Sequence, residues 1–336
     1  MLDLTVDNLV DYLRRQGWLG DEPARVELLS GGVSNAVLRV ETPRRAFVVK
    51  QSRPQLRTRD AWFSDLDRVY REQEVMQLLH PLLPAPTVPE VLFIDRANYA
   101  FAMSHAPHGA RPWKEQLLAG QADARLAEHA SRILGRMHEA TARSADARAR
   151  FRERTVFVQL RVDPFYRRVQ ERRPEVADAV EPIIRHMLTA EEALCHGDYT
   201  PKNMLTHTQG FTLVDYETAH FGDPTMDLGL FLCHLFLKAV RLPDRRADYF
   251  GLTRAFWRGY AAEVRFRPVE ELQRRGVGHF AVCLLARVDG TSPVEYLPEE
   301  PKREAVRRLA RRLLTRPPVS WANVLALGDE ELAILA

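Results

Sequence analysis

The sequence predicts an α+β protein in two parts: a small N-terminal antiparallel sheet carrying one helix, then a larger, mainly helical C-terminal part. Three observations point there. Apolar runs of strand length recur up to residue 103. A stretch broken by proline and glycine, residues 104–111, interrupts the periodicity. Beyond it, apolar residues mostly return at three- and four-residue spacing, the signature of helices with one buried face.

Taken in order, Leu9, Val10 and Leu13 lie at helical spacing, with Asp7 as the expected cap and Gly17 as the stop. Candidate strands follow at 25–29, 36–40 and 46–50, the first two joined by Ser30-Gly31-Gly32-Val33-Ser34-Asn35. A helix over about 65–79 precedes a proline-rich loop. Strands at 91–95 and 99–103 then flank a turn at Arg96-Ala97-Asn98. In the second part, Leu126, Ile133, Leu134 and Met137 mark one amphipathic helix, and Phe231, Leu235 and Ala239 another. Long helical patterns follow near 246–263 and 269–288, and 301–313 is a highly charged surface helix. The expected division is 1–104, a hinge at about 104–108, and 109–336.

At 336 residues, 46% hydrophobic and 28% charged, the chain has the composition of a soluble globular protein with room for two packed units. Its greasiest stretch, 228–240, contains His234 and Lys238 and is too short to span a bilayer. The start, Leu2-Asp3-Leu4-Thr5, lacks the basic and apolar blocks of a secretory signal, so a cytoplasmic location is expected. Cys195, Cys233 and Cys283 are widely spaced in apolar sequence and are expected to be reduced, buried and free of metal. Arginines are interleaved with acids and the net charge is only +3, which predicts a solvated mixed-charge surface and no nucleic-acid partner. Lysine occurs only at 50, 114, 202, 238 and 302, so Lys50, on an inner strand, is not there for solubility.

Two motifs carry chemistry. The run His196-Gly197-Asp198-Tyr199-Thr200-Pro201-Lys202-Asn203 follows the apolar Ala193-Leu194-Cys195, and Asp215-Tyr216-Glu217 follows Phe211-Thr212-Leu213-Val214. Both acidic sites therefore start where a strand ends. Phosphoryl transfer from a nucleotide needs a carboxylate beside the accepting hydroxyl and oxygen ligands for magnesium. Asp198 fits the first role; Asn203, Asp215 and Glu217 fit the second. Lys202 is either a point charge for the transferring phosphoryl group or a surface lysine. Lys50 closes the run Phe47-Val48-Val49-Lys50 and can reach phosphates if a carboxylate holds it. Glu72 is the first choice and Glu74 the second, since residues two apart lie on nearly opposite helix faces. Gly31, Gly32, Ser34 and Asn35 occupy the position of a flap whose N–H groups could meet phosphate oxygens. Asp227 is expected to support the catalytic loop or cap the helix that follows it, and His196 to pack beneath that loop.

Lys50, Glu72, the His-Gly-Asp…Asn loop and the Asp-x-Glu pair together resemble the aminoglycoside phosphotransferase and choline kinase superfamily. The resemblance implies a bilobal protein-kinase-like fold, ATP and Mg2+ as cofactors, and a small-molecule hydroxyl as acceptor. It also implies that Ser104 and Ala106 offer backbone groups to adenine, with Met103 nearby. Within the superfamily the sequence is most similar to the S-methyl-5-thioribose kinases, in 50–57, in 62–68 and in Asp215-Tyr216-Glu217. It departs from them at Asn203, where serine is usual, and at Ala286-Arg287-Val288-Asp289, where they carry paired arginines. Arg287 and Asp289 are accordingly candidates for acceptor contact, against an internal salt bridge and tight turn. The acceptor classes left open are thiosugar or sugar, aminoglycoside, and amino alcohol, and the chain is read as a monomer or homodimer. The alternative functions are a non-catalytic nucleotide-binding regulator and a protein kinase. The short interval from Asp215 to Asp223 leaves little room for a protein kinase's activation segment.

Overall fold

A five-stranded antiparallel sheet, order β1-β2-β3-β5-β4, organises the first part of the chain: β1 (Arg25–Leu28), β2 (Asn35–Glu41), β3 (Ala46–Ser52), β4 (Val91–Asp95) and β5 (Ala100–Ser104). The computed structural model describes residues 1–29, 35–53 and 66–335. Gly31, Gly32 and Ser34 lie outside them, as does the whole of 54–65.

The central strand β3 is buried along nearly its whole length because both sheet faces are covered. Phe47 and Val49 point into a core with Leu9, Tyr12 and Leu13 of helix α1 (Leu9–Arg15), together with Leu38, Val40 and Ala102. By strand alternation, Val48 and Lys50 face the other side, where helix α2 (Arg68–Leu79) buries Val69, Val75, Met76 and Leu79. The expected cap of α1 differs. Asn8, not Asp7, precedes the helix and makes no cap bond to it; its side chain instead joins Thr5 N (2.9 Å) and the Asp3 carbonyl (2.8 Å).

Two compact units are distinguished, residues 1–110 with 212–217, and residues 111–211 with 218–336. The short segment 212–217 is tied to the first unit by Leu213 N to Thr87 O (2.7 Å) and Thr212 Oγ1 to Pro86 O (3.0 Å).

The second unit is mostly helical. It opens with β6 (Arg111–Pro112), α3 (Trp113–Leu118) and α4 (Ala124–Ala142), whose first turn is capped by the Asp123 side chain. A π-helical stretch, Val158–Arg167, follows and contains Pro164. Strands β7 (Ala193–Cys195), β8 (Met204–His207), β9 (Gly210–Leu213) and β10 (His220–Gly222) come next, with β7 and β10 paired antiparallel. The helix Thr225–Arg241 is buried almost all round, which explains its greasy sequence. It crosses Val269–Asp289 so closely that a Cβ on Gly229 would lie 2.5 Å from both His279 Cβ and Phe280 N. The charged helix Glu300–Thr315 has a buried apolar face of Val306, Leu309, Ala310 and Leu313. All three cysteines are free and buried, and among the described residues no helix is long and apolar enough to cross a membrane.

Candidate active site

In the first unit, Lys50 is 4% exposed, and its Nζ stands 2.6 Å from Glu72 Oε2 and 2.8 Å from Asp215 Oδ1. Burial alone would lower its pKa, but the charges of Asp215, Glu72 and Glu217 prevail and hold it above the ordinary lysine value. The same burial pushes the Glu72 carboxyl up; Lys50 opposes this, and Asp215 and Glu217 add to it. Glu74 points elsewhere, 3.7 Å from Arg96. Asp215 has a positive φ of 73°, a conformation rare outside glycine and frequent where function holds a residue under strain.

Glu217 Oε2 accepts from Asn35 Nδ2 (2.8 Å) and from Arg68 Nε (3.2 Å). Asn35 thus opens β2 with its side chain on Glu217 and Ser52. Glu72, Asp215 and Glu217 each present an oxygen within 4.8 Å of the others. A cluster of carboxylate oxygens of that size fits a hard divalent cation. At the end of β5, Met103 is buried, and Ser104 N donates to Glu90 O (2.8 Å) while its hydroxyl accepts from Glu90 N (2.9 Å). The Ala106 carbonyl meets His105 Nδ1 at 2.5 Å.

In the second unit, the loop bearing Asp198 leaves β7 through Gly197, whose φ of 77° and closeness to Thr218 O (2.6 Å from a hypothetical Cβ) admit only glycine. Asp227, wholly buried, holds this turn by accepting from His196 N (2.7 Å) and Gly197 N (2.9 Å). His196 is buried beneath the loop, and its Nδ1 accepts from Asp198 N (3.2 Å). The Asp198 carboxylate receives Arg161 Nη2 and Asn203 Nδ2, both at 2.8 Å. Asn203 Nδ2 also donates to the Asp198 carbonyl (3.0 Å). Lys202 is exposed on the same turn.

Sequence reasoning did not find Arg161, which also donates to the Gly197 carbonyl (2.9 Å), nor the brace of Arg68 on Glu217. No local pattern announces either. Asp289 is enclosed by Arg173 Nη2 (2.7 Å) and Arg307 Nη2 (2.9 Å). Burial would raise its pKa, but those arginines hold it below the usual carboxylate range. Its position is that of the internal salt bridge. Among the described residues Arg287 has no such partner; its Cζ lies 5.8 Å from the Phe165 ring centre.

A lysine braced by a helix glutamate, clustered carboxylates, and an aspartate on a loop held in place by hydrogen bonds define a phosphotransferase of the protein-kinase-like type. The chain belongs to the phosphotransferase enzyme family (APH), whose model matches residues 25–263. It is 26% identical over 310 residues to a methylthioribose kinase of Exiguobacterium sibiricum, covering 80% of this chain and 78% of that protein. Two solved structures share the bilobal fold. Macrolide 2'-phosphotransferase MphH of Brachybacterium faecium has a TM-score of 0.54 at 20% identity, with 93% and 99% of the two chains covered. Amicoumacin kinase hAmiN, in complex with AMP-PNP, Ca2+ and Ami, has a TM-score of 0.58 at 12% identity, with 89% and 91% covered. The protein is a small-molecule kinase acting on an alcohol group.

Proposed function

We propose that the protein transfers the γ-phosphate of ATP, with Mg2+, to a hydroxyl of a small polar metabolite. The observation that carries this reading is the ion-pair chain Glu72–Lys50–Asp215, with Lys50 and Glu72 buried, Asp215 half-buried, and contacts of 2.6 and 2.8 Å. A lysine fixed by two carboxylates adds little to the stability of a sheet, and is a good means of holding phosphate oxygens. Lys50 binds and orients the phosphates, and Glu72 keeps its ammonium aimed at them. Met103, Ser104 and Ala106 lie along the adenine. Asn203, Asp215 and Glu217 would hold the magnesium, which when bound neutralises charge on the phosphate oxygens.

Asp198 orients the acceptor hydroxyl and takes its proton late in the transfer. The bond from acceptor oxygen to phosphorus forms as the bond to the bridging oxygen breaks, and that electron pair departs with ADP. Arg161 keeps the Asp198 carboxylate in one position, and Lys202 meets the moving phosphoryl group as a point charge.

The test is Asp198→Ala. Turnover in a coupled ADP-release assay should fall by roughly 10²- to 10⁴-fold, while nucleotide affinity stays near that of the wild type. Near-normal turnover would overturn the assignment.

A further inference from the structure

The second unit holds three basic side chains, Lys238, Arg287 and Lys114, that the proposed transfer leaves unused. Lys238 lies on the buried helix Thr225–Arg241 and is itself 1% exposed. Its Nζ donates to the His234 carbonyl at 2.9 Å and stands 5.3 Å from the centre of the Tyr296 ring. An ammonium has three donors to satisfy. Among the described residues no carboxylate forms an ion pair with Lys238, Arg287, Lys114 or Lys202. Carbonyls of the helix C-terminus compensate part of this charge, but a buried cation without a counter-ion remains costly. Burial, with the charges of Lys114 and Arg287 and against Cys233, pushes Lys238 down to about 7.

The basic group extends to the catalytic loop. Arg287 Cζ and Arg161 Cζ lie 5.8 and 5.6 Å from the same Phe165 ring, and Arg161 holds Asp198 at 2.8 Å. Lys114 is kept below the ordinary lysine value by burial and by the charges of Lys202 and Arg287, against Glu295. His234 sits among them, held neutral by burial and by Lys238, Arg287, Lys114 and Arg161. Its ring makes no hydrogen bond among the described residues. The buried Arg287 Nε and Tyr296 hydroxyl likewise have no partner there.

We infer that this cluster is the acceptor subsite, and that the acceptor is a hydroxyl compound already carrying an anionic group, a phosphate monoester or a carboxylate. The inference rests on the transferase reading above. Guanidinium groups take either anion in two-pronged fashion, and the His234 ring and Tyr296 hydroxyl, unpartnered among the described residues, would be available to neighbouring hydroxyls. A cationic acceptor such as an aminoglycoside or amino alcohol would meet repulsion from five basic groups. A neutral thiosugar would leave Lys238 without a counter-ion.

The experiment compares acceptors matched except for the anion, with ATP and Mg2+ and the full chain: ribose with ribose 5-phosphate, glycerol with glycerol 3-phosphate and glycerate, alongside methylthioribose, kanamycin and choline. The phosphate arm and the carboxylate arm separate the two anions. Lys238→Met should raise the KM for the anionic acceptor by about 10- to 100-fold without moving the KM for ATP. It should melt no lower than the wild type, since it removes a charge that lacks its partner. Arg287→Gln gives the same kinetic reading should Lys238→Met fail to fold. A neutral or cationic acceptor preferred over every anionic one would overturn the inference. So would a shift confined to the KM for ATP, which would assign the cations to the donor. If no acceptor turns over, calorimetry with ribose 5-phosphate and with glycerate alone decides. Binding abolished in Lys238→Met supports the subsite even as the transferase reading falls; no binding at millimolar concentration overturns it.

Discussion

Replacing Asp227 by asparagine tests how the Asp198 loop is held. The carboxylate is wholly buried and accepts from His196 N at 2.7 Å, Gly197 N at 2.9 Å and, more weakly, His138 Nε2 at 3.4 Å. Asparagine keeps the shape but exchanges one acceptor oxygen for a donor, so one backbone N–H loses its partner. A hydrogen bond to a charged acceptor contributes about 1.5–3 kcal/mol, and a stranded buried donor costs about 1–3 kcal/mol. The two overlap, which gives about 3 kcal/mol for Asp227→Asn. The assay is the urea midpoint by circular dichroism at neutral pH, with ADP release measured in parallel. Both should fall. An unchanged midpoint with wild-type turnover would refute the reasoning. The pH dependence gives a second check. Burial would raise the Asp227 pKa, but the hydrogen bond and charge of His138, with His196, hold it below the ordinary aspartate value. A carboxylate depressed on folding stabilises fully above its unfolded pKa, about 3.9, and loses that contribution as pH falls through the folded value. The gap between wild type and Asp227→Asn should therefore stay constant from neutral pH down to about 5 and narrow only below about 4. A gap that closes near pH 6 would assign the effect to another group.

Asp215→Ala should abolish the magnesium-dependent part of nucleotide affinity, measured by fluorescence titration with and without the metal; superimposable wild-type and variant curves would count against its role. Gly229→Ala should lower the melting temperature, because its Cβ would sit 2.5 Å from His279 Cβ and Phe280 N, and overpacking of this kind costs about 1–3 kcal/mol. A wild-type melting curve would mean that the crossing of Thr225–Arg241 with Val269–Asp289 relaxes freely.

The strands of the first unit were legible because β3 is buried on both faces, and a short, unbroken apolar run ending in lysine fits an inner strand better than a helix or a loop. Helical periodicity separated Glu72 from Glu74, and the structure buries the first and turns the second towards Arg96. The support given by Asp227 was readable from its place at the start of an apolar helix. Arg161 was not, because its partners lie 36 and 37 positions along the chain and it sits in a π-helical stretch with no sequence signature. Arg68 on Glu217 spans 149 positions. The cap of α1 failed for a local reason: Asn8 offers its side chain to the chain entering the helix, not to the helix itself.

The modest net charge of +3 conceals two opposed imbalances. In the first unit, Glu72, Asp215 and Glu217 crowd their oxygens within 4.8 Å, and two buried cations, Lys50 and Arg68, stand against three carboxylates. In the second, basic groups run from Lys238 to Arg161, with Asp198, Glu295 and Glu115 among the nearby acids. Neither arrangement lowers the energy of the empty protein, since like charges brought together out of water raise each other's cost. Each is a binding free energy held in reserve, released when a ligand of the opposite sign arrives. A carboxylate excess calls for a divalent cation, and a cation excess for an anion. On this argument, removing a charge of the surplus sign from either cluster should leave folding intact or improve it while weakening one ligand and sparing the other. A residue such as Asp227, whose charge is fully answered by the protein's own donors, should do the reverse.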